Sequence, residues 1–98
     1  MIILQCDFDF VGDLAEQTEA MRPLAESICR EPGFIWKIWT GSTADGKAGG
    51  IYLFDTREHA QAYAAMHEQR LAAMGVVNFR ALILDVQQPL SAITRAPL

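Results

Sequence analysis

The 98-residue sequence predicts an α+β fold in which four antiparallel strands form one sheet and two helices lie on one of its faces. Three observations predict it. Residues 2 to 10, 34 to 40, 51 to 54 and 76 to 86 have the alternation and β-branched or aromatic content of strands. Residues 13 to 28 and 55 to 74 place apolar side chains at helical spacing behind acidic capping patterns. The segments follow one another as strand, helix, strand, strand, helix, strand.

In the first strand Ile2, Leu4, Cys6, Phe8 and Phe10 alternate with Ile3, Gln5, Asp7 and Asp9, and Gly12 ends it. Asp13 and Glu16 form a D-x-x-E pattern opening the first helix, and Leu14, Thr18, Met21, Ala25 and Ile28 line one stripe. Pro23 falls inside that pattern, where a regular helix loses a donor at a cost of roughly 3 kcal/mol. A kink or break is therefore expected near Arg22.

"EPG" at 31 to 33 closes the helix and "FIWKIWT" begins the second strand. On a strand, Trp36 and Trp39 point to opposite faces. The polar stretch "STADGKAGG" supplies a turn, and "IYLF" returns as the third strand of a hairpin. Gly49 and Gly50 precede a strand rather than a helix, so they read as backbone freedom rather than as a phosphate loop.

Asp55 and Glu58 repeat the capping pattern. Ala60, Tyr63, His67, Leu71 and Met74 form the stripe of the second helix, which Gly75 stops. "VVNFRALILDV" reads as a long final strand ended by Pro89, and "PLSAI" as one further short turn.

This βαββαβ order is the ferredoxin-like arrangement, a single domain over residues 1 to 98. Its helices cover one sheet face, yet the strands carry large apolar residues on both: Phe34, Trp36 and Ile38 against Ile35 and Trp39, and Ile51 and Leu53 against Tyr52 and Phe54. Sheet-to-sheet packing of two copies would cover the second face, giving a homodimer. Lys37 and Arg80 interrupt the apolar pattern, and Asp7 or Asp9 are their candidate partners.

The formal net charge is −4 with no Lys/Arg cluster, which excludes the electrostatic footprint of nucleic-acid or anionic-membrane binding. No basic leader and no run of about 20 apolar residues is visible, and a cytoplasmic protein is expected. Cys6 and Cys29 have neither redox nor zinc spacing and are expected as reduced thiols. Two histidines make no metal set, and neither a metal nor a dinucleotide cofactor is expected.

His67 faces the sheet between Tyr63 and Leu71, where it reads either as a base near neutral pH or as a hydrogen-bonded core histidine. His59, at the helix start, is expected to face solvent. Phe8, Phe34 and Trp36 read either as core or as the walls of an aromatic pocket beneath the helices, with Tyr63 offering a hydroxyl. Alanines at 60, 64, 65, 72 and 73 leave room beside them.

"PLAESI" (23 to 28), "EPGF" with "WK" and "WT" (31 to 40), "AGGIYLF" (48 to 54), "AYAAMH" (62 to 67) and "PLSAI" (89 to 93) resemble the YdhR-type mono-oxygenases of the dimeric α+β barrel superfamily. The resemblance implies a ferredoxin-like protomer, a homodimer, and a cavity between sheet and helices in each subunit. It implies a cofactor-independent mono-oxygenase acting on a small aromatic phenol or quinol, whose anion reduces dioxygen directly. His67 is then the expected base, Tyr63 the orienting hydroxyl, and Phe8, Phe34 and Trp36 the walls. The alternative is a non-catalytic dimeric module that binds a small hydrophobic molecule for sensing, sequestration or stress response; a proton-shuttling isomerase is a third reading. Haem-degrading relatives have an asparagine on the first strand, where this sequence offers Cys6 and Phe8.

Overall fold

A computed structural model describes all 98 residues. Strand β1 (Ile2–Asp9) leads through a 3-10 turn (Leu14–Gln17) into helix α1 (Thr18–Ile28). Strands β2 (Phe34–Ser42) and β3 (Lys47–Phe54) form a hairpin, followed by α2 (Arg57–Ala73), β4 (Arg80–Asp85) and the short α3 (Gln88–Ile93). The sheet order is β2-β3-β1-β4, every pairing antiparallel. This is the expected ferredoxin-like topology, with α3 where a short turn was expected.

The β1 alternation sets the faces. Ile2, Leu4 and Cys6 pair with Phe54, Tyr52 and Gly50, and pack beneath the helices with Ile28, Ala60 and Tyr63. Tyr52, Phe54 and Leu4 are fully buried there, each stabilising the fold by about 1.5–3 kcal/mol through loss of apolar surface to water. Tyr63 packs on Tyr52 and Phe54 with ring centroids 5.1 and 5.5 Å away.

Four local details differ from the sequence expectations. The first helical segment breaks at Gln17/Thr18, where 3-10 geometry gives way to α, and α1 continues through Pro23 without a break at Arg22. The second helix is capped by Thr56, whose hydroxyl accepts from the His59 N–H at 3.2 Å; Asp55 instead binds His59 Nδ1 at 2.7 Å. The last strand starts at Arg80 rather than Val76, because Asn78 takes a left-handed conformation (φ 57°) that strand geometry does not admit. Asn78 Nδ2 donates to Asp9 Oδ2 at 2.5 Å, which holds that turn against β1.

The fourth difference concerns β2. A bulge at Ile35 lets Phe34 pair with Phe54 while Trp36 pairs with Leu53 and Lys37 with Tyr52. One extra residue reverses the parity. Phe34, Lys37 and Trp39 therefore share the helix side, and Trp36 and Ile38 share the opposite face with Ile51 and Leu53. The two tryptophans do lie on opposite faces, but it is Trp39 that packs against the core.

On the face turned away from α1 and α2, Arg80 binds Asp7 at 2.6 Å and Asp9 at 3.2 Å, and Lys47 also binds Asp9. Lys37 pairs with neither aspartate. The Trp36 indole N–H donates to the Pro97 carbonyl at 2.7 Å, so the C-terminal tail crosses this face beside Leu53, which is fully buried. Ile38, Leu82 and Leu84 remain exposed on it. No helix is long and apolar enough to cross a membrane.

Candidate functional site

Leu14, Thr18, Met21 and Ala25 recur along one side of the first helical segment, facing the edge of β2. Between them and Trp39 lies a cleft of about 430 Å³, also bordered by Ala15, Gln17 and Arg22. A second cleft of about 280 Å³ adjoins it through Ala25 and Trp39 and is lined by Ile28, Phe34 and Lys37. Gly41 lets the turn close on the strand, since a Cβ there would meet Leu14 side-chain atoms at 3.0 Å.

Lys37 is the only charged side chain of the second cleft. Its ammonium sits 3.3 Å from the Trp39 ring centroid and 4.6 Å from that of Tyr52, a cation–π arrangement made possible by their common face. Gly50 supplies the space: a Cβ at that position would lie 2.5 Å from Lys37 Cε. No carboxylate lies within ion-pair distance of Lys37. Burial and the Arg70 charge lower its pKa to about 8.

Behind Lys37 runs a buried polar chain. Arg70 Nη2 donates to His67 Nδ1 at 3.0 Å and to the Tyr63 hydroxyl at 3.3 Å. Arginine can only donate, so His67 Nδ1 accepts and the proton resides on Nε2, which points at the Tyr52 hydroxyl 3.5 Å away. Burial pushes the Cys6 thiol and the Tyr52 and Tyr63 phenols above their usual values.

The five residues expected from the sequence are not brought into one pocket. His67 is buried on the helix side, as expected, but it lines neither cleft, both ring nitrogens are engaged, and burial with the nearby Arg70 and Lys37 charges lowers its pKa to about 3. These neighbours favour the neutral imidazole, hydrogen-bonded beside the core. Tyr63 is also core, its ring 5.3 Å from that of His67. Phe8 lies on the helix-side register of β1 and borders neither cleft. Phe34 does line the second cleft. Trp36 also borders that second cleft, although the bulge at Ile35 sets it on the opposite register of β2, where its indole N–H reaches the Pro97 carbonyl.

Lys37, Trp39, Met21 and Arg70 take the positions the sequence assigned elsewhere. Trp39 is legible in the sequence as the second ring of an opposed pair, Met21 as part of the helical stripe and Lys37 as a charge interrupting the strand; the bulge that turns Lys37 inward and the placement of Arg70 leave no signal. No three His, Cys, Asp or Glu side chains gather where they could hold a metal ion.

The family model described as "Putative mono-oxygenase ydhR" matches residues 3–97. The chain belongs to the ydhR family that this model describes. Among curated protein sequences no match reaches significance. Two solved structures resemble this ydhR-family chain in fold. A "putative antibiotic biosynthesis monooxygenase" from Deinococcus radiodurans superposes with a TM-score of 0.66 at 10% identity, covering 90% of this chain and 94% of that one. A mutant of SnoaB, a cofactor-independent oxygenase from Streptomyces nogalater, superposes with a TM-score of 0.62 at 16% identity, covering 89% and 93%.

Proposed function

We propose that this ydhR-family protein is a cofactor-independent mono-oxygenase that binds a small aromatic phenol or quinol in the paired clefts between α1 and β2. The observation that carries the reading is that two adjoining clefts, together the size of a one- to two-ring ligand, share Trp39 and Ala25 and are walled mainly by apolar side chains, with Gln17, Thr18 and Arg22 at one end and Lys37 at the other. An electron-rich aromatic anion can reduce dioxygen directly, so the protein must orient the ring, exclude water and accept one proton. Trp39 and Phe34 offer the ring surface, and Leu14, Met21 and Ala25 the water-excluding wall. His67 and Tyr63 act at one remove, fixing Tyr52 beneath Lys37. Family membership and the SnoaB-like fold favour oxygen chemistry over the non-catalytic reading.

Oxygen uptake with a panel of hydroquinones tests the proposal. Uptake is expected from the native chain and its loss from Ala25→Phe, which fills the junction of the clefts. A hydroquinone that is retained in native mass spectrometry, with no oxygen consumed by the native chain, would point instead to a small-molecule-binding module.

A further inference from the structure

Given the mono-oxygenase reading, the remaining question is which group takes the substrate's proton. The requirements are geometric first: a base must reach the cleft, have a free lone pair there, and tolerate becoming charged. His67 reaches neither cleft, and Arg70 and Tyr52 engage its two nitrogens. Cys6 and Tyr52 lie beneath Lys37 and line neither cleft. The carboxylates nearest in the strands, Asp7 and Asp9, belong to the opposite face and are paired with Arg80.

We propose that Lys37 is the catalytic base of this site: its neutral amine takes the hydroxyl proton of a bound phenol or quinol and stays beside the resulting anion as its counter-ion.

Several features of the structure serve that role. The ammonium has no carboxylate to hold it charged, and it lies over two aromatic rings in a space kept open by Gly50. The groups facing it are Cys6 from β1, Tyr52 from β3, and Arg70 with His67 from α2; Cys29, just past α1, borders the same cleft. None is a carboxylate. Two cationic side chains, Lys37 and Arg70, thus lie in one buried neighbourhood without an internal anion, which is the condition an anionic ligand relieves. With its pKa lowered to about 8, Lys37 keeps a minority of free amine at neutral pH and more as pH rises. In the first step the substrate O–H bond breaks, the N–H bond forms and the electron pair stays on oxygen. The phenolate then passes one electron to dioxygen, giving a phenoxyl radical and superoxide, while Lys37 keeps the proton available for the reduced oxygen.

Two measurements on the 98-residue chain test this. 4-Nitrophenol is yellow only as its anion, so absorbance reports which form is bound. The native chain is expected to bind it as the anion at a pH where the free compound is mostly protonated, and Lys37→Met to lose that shift. In hydroquinone-dependent oxygen uptake the native kcat/KM is expected to rise along a limb near pH 8. Lys37→Arg, a permanent cation that cannot take a proton, should still bind the nitrophenolate, lose the limb, and fall by about 100-fold or more in kcat/KM. Binding of neutral nitrophenol by the native chain, or full uptake with an unchanged limb in either variant, would overturn the assignment. Anion binding that depends on Lys37 without oxygen uptake by the native chain would sink the oxygenase reading and leave Lys37 as the proton acceptor of the cleft.

Discussion

His67 shows how burial decides what a side chain does. Its folded pKa of about 3 lies below the ordinary value of 6.5, so in the acid range the unfolded chain binds a proton that the native chain refuses. The resulting stability is complete above pH 6.5 and is lost as pH falls from 6.5 toward 3, by up to about 1.4 kcal/mol per pH unit. Asp9, Asp55 and Glu19, whose carboxyls are held below their usual values by hydrogen-bonded donors, add their own losses at more acidic pH. Urea unfolding between pH 4.5 and 6.5 separates the two: native stability should decline across that range, and His67→Gln should flatten the decline. Identical slopes would mean that His67 is not held neutral. The sequence showed that His67 faces the sheet; it did not show Arg70, one turn on, whose guanidinium denies one nitrogen to any substrate. A helical stripe reveals which way a residue points, whereas its protonation depends on neighbours brought from other elements.

At the scale of elements, periodicity located all four strands and the two long helices, because each apolar stripe matches the face it buries. It failed where one residue changes the phase. Phe34, Trp36 and Ile38 alternate without interruption, and nothing in their order betrays that Ile35 bulges out; yet that bulge removes Trp36 from the helix side and brings in Lys37 and Trp39. Asn78 similarly ended a strand that composition alone would extend. Pro23 is the opposite case, a strong breaker signal overridden by packing: Leu24 and Ile28 anchor α1 on the core on the far side of the ring. Because the proline still forfeits the bond its N–H would make to Glu19, Pro23→Ala should stabilise the protein by about 1 to 3 kcal/mol, read as a higher urea midpoint at constant slope. A lower midpoint would show that the 3-10 to α transition depends on the ring.

For the whole molecule, the unpaired sheet face is the dominant fact. The protomer exposes 6193 Å², against about 5600 Å² for a typical monomer of 10.9 kDa, and only 14 of its 98 residues are buried. Ile38 at 52%, Leu82 at 57% and Leu84 at 43% exposure lie together on the face turned away from α1 and α2. We propose that a second copy covers it, sheet to sheet, as the alternation of the strands led us to expect. Light scattering should give twice the chain mass at micromolar concentration, and Leu82→Glu with Ile38→Glu should halve it while leaving the helix-side core folded. A native chain that stays monomeric under those conditions would rule the pairing out.

The C-terminal strap and the ion cluster give that face a further property. Pro97, held by the Trp36 indole, raises a ridge at one end of the strands, and the knot of Asp7, Asp9, Arg80 and Lys47 raises a polar kerb at the other. Between them runs the row Ile38, Ile51, Gln5 and Leu82, apolar except for one amide. A second copy laid upon that strip, as proposed above, would meet the tail at one end of the strands and the charged cluster at the other, so the two rims would limit its sliding lengthwise while the apolar side chains supplied the adhesion.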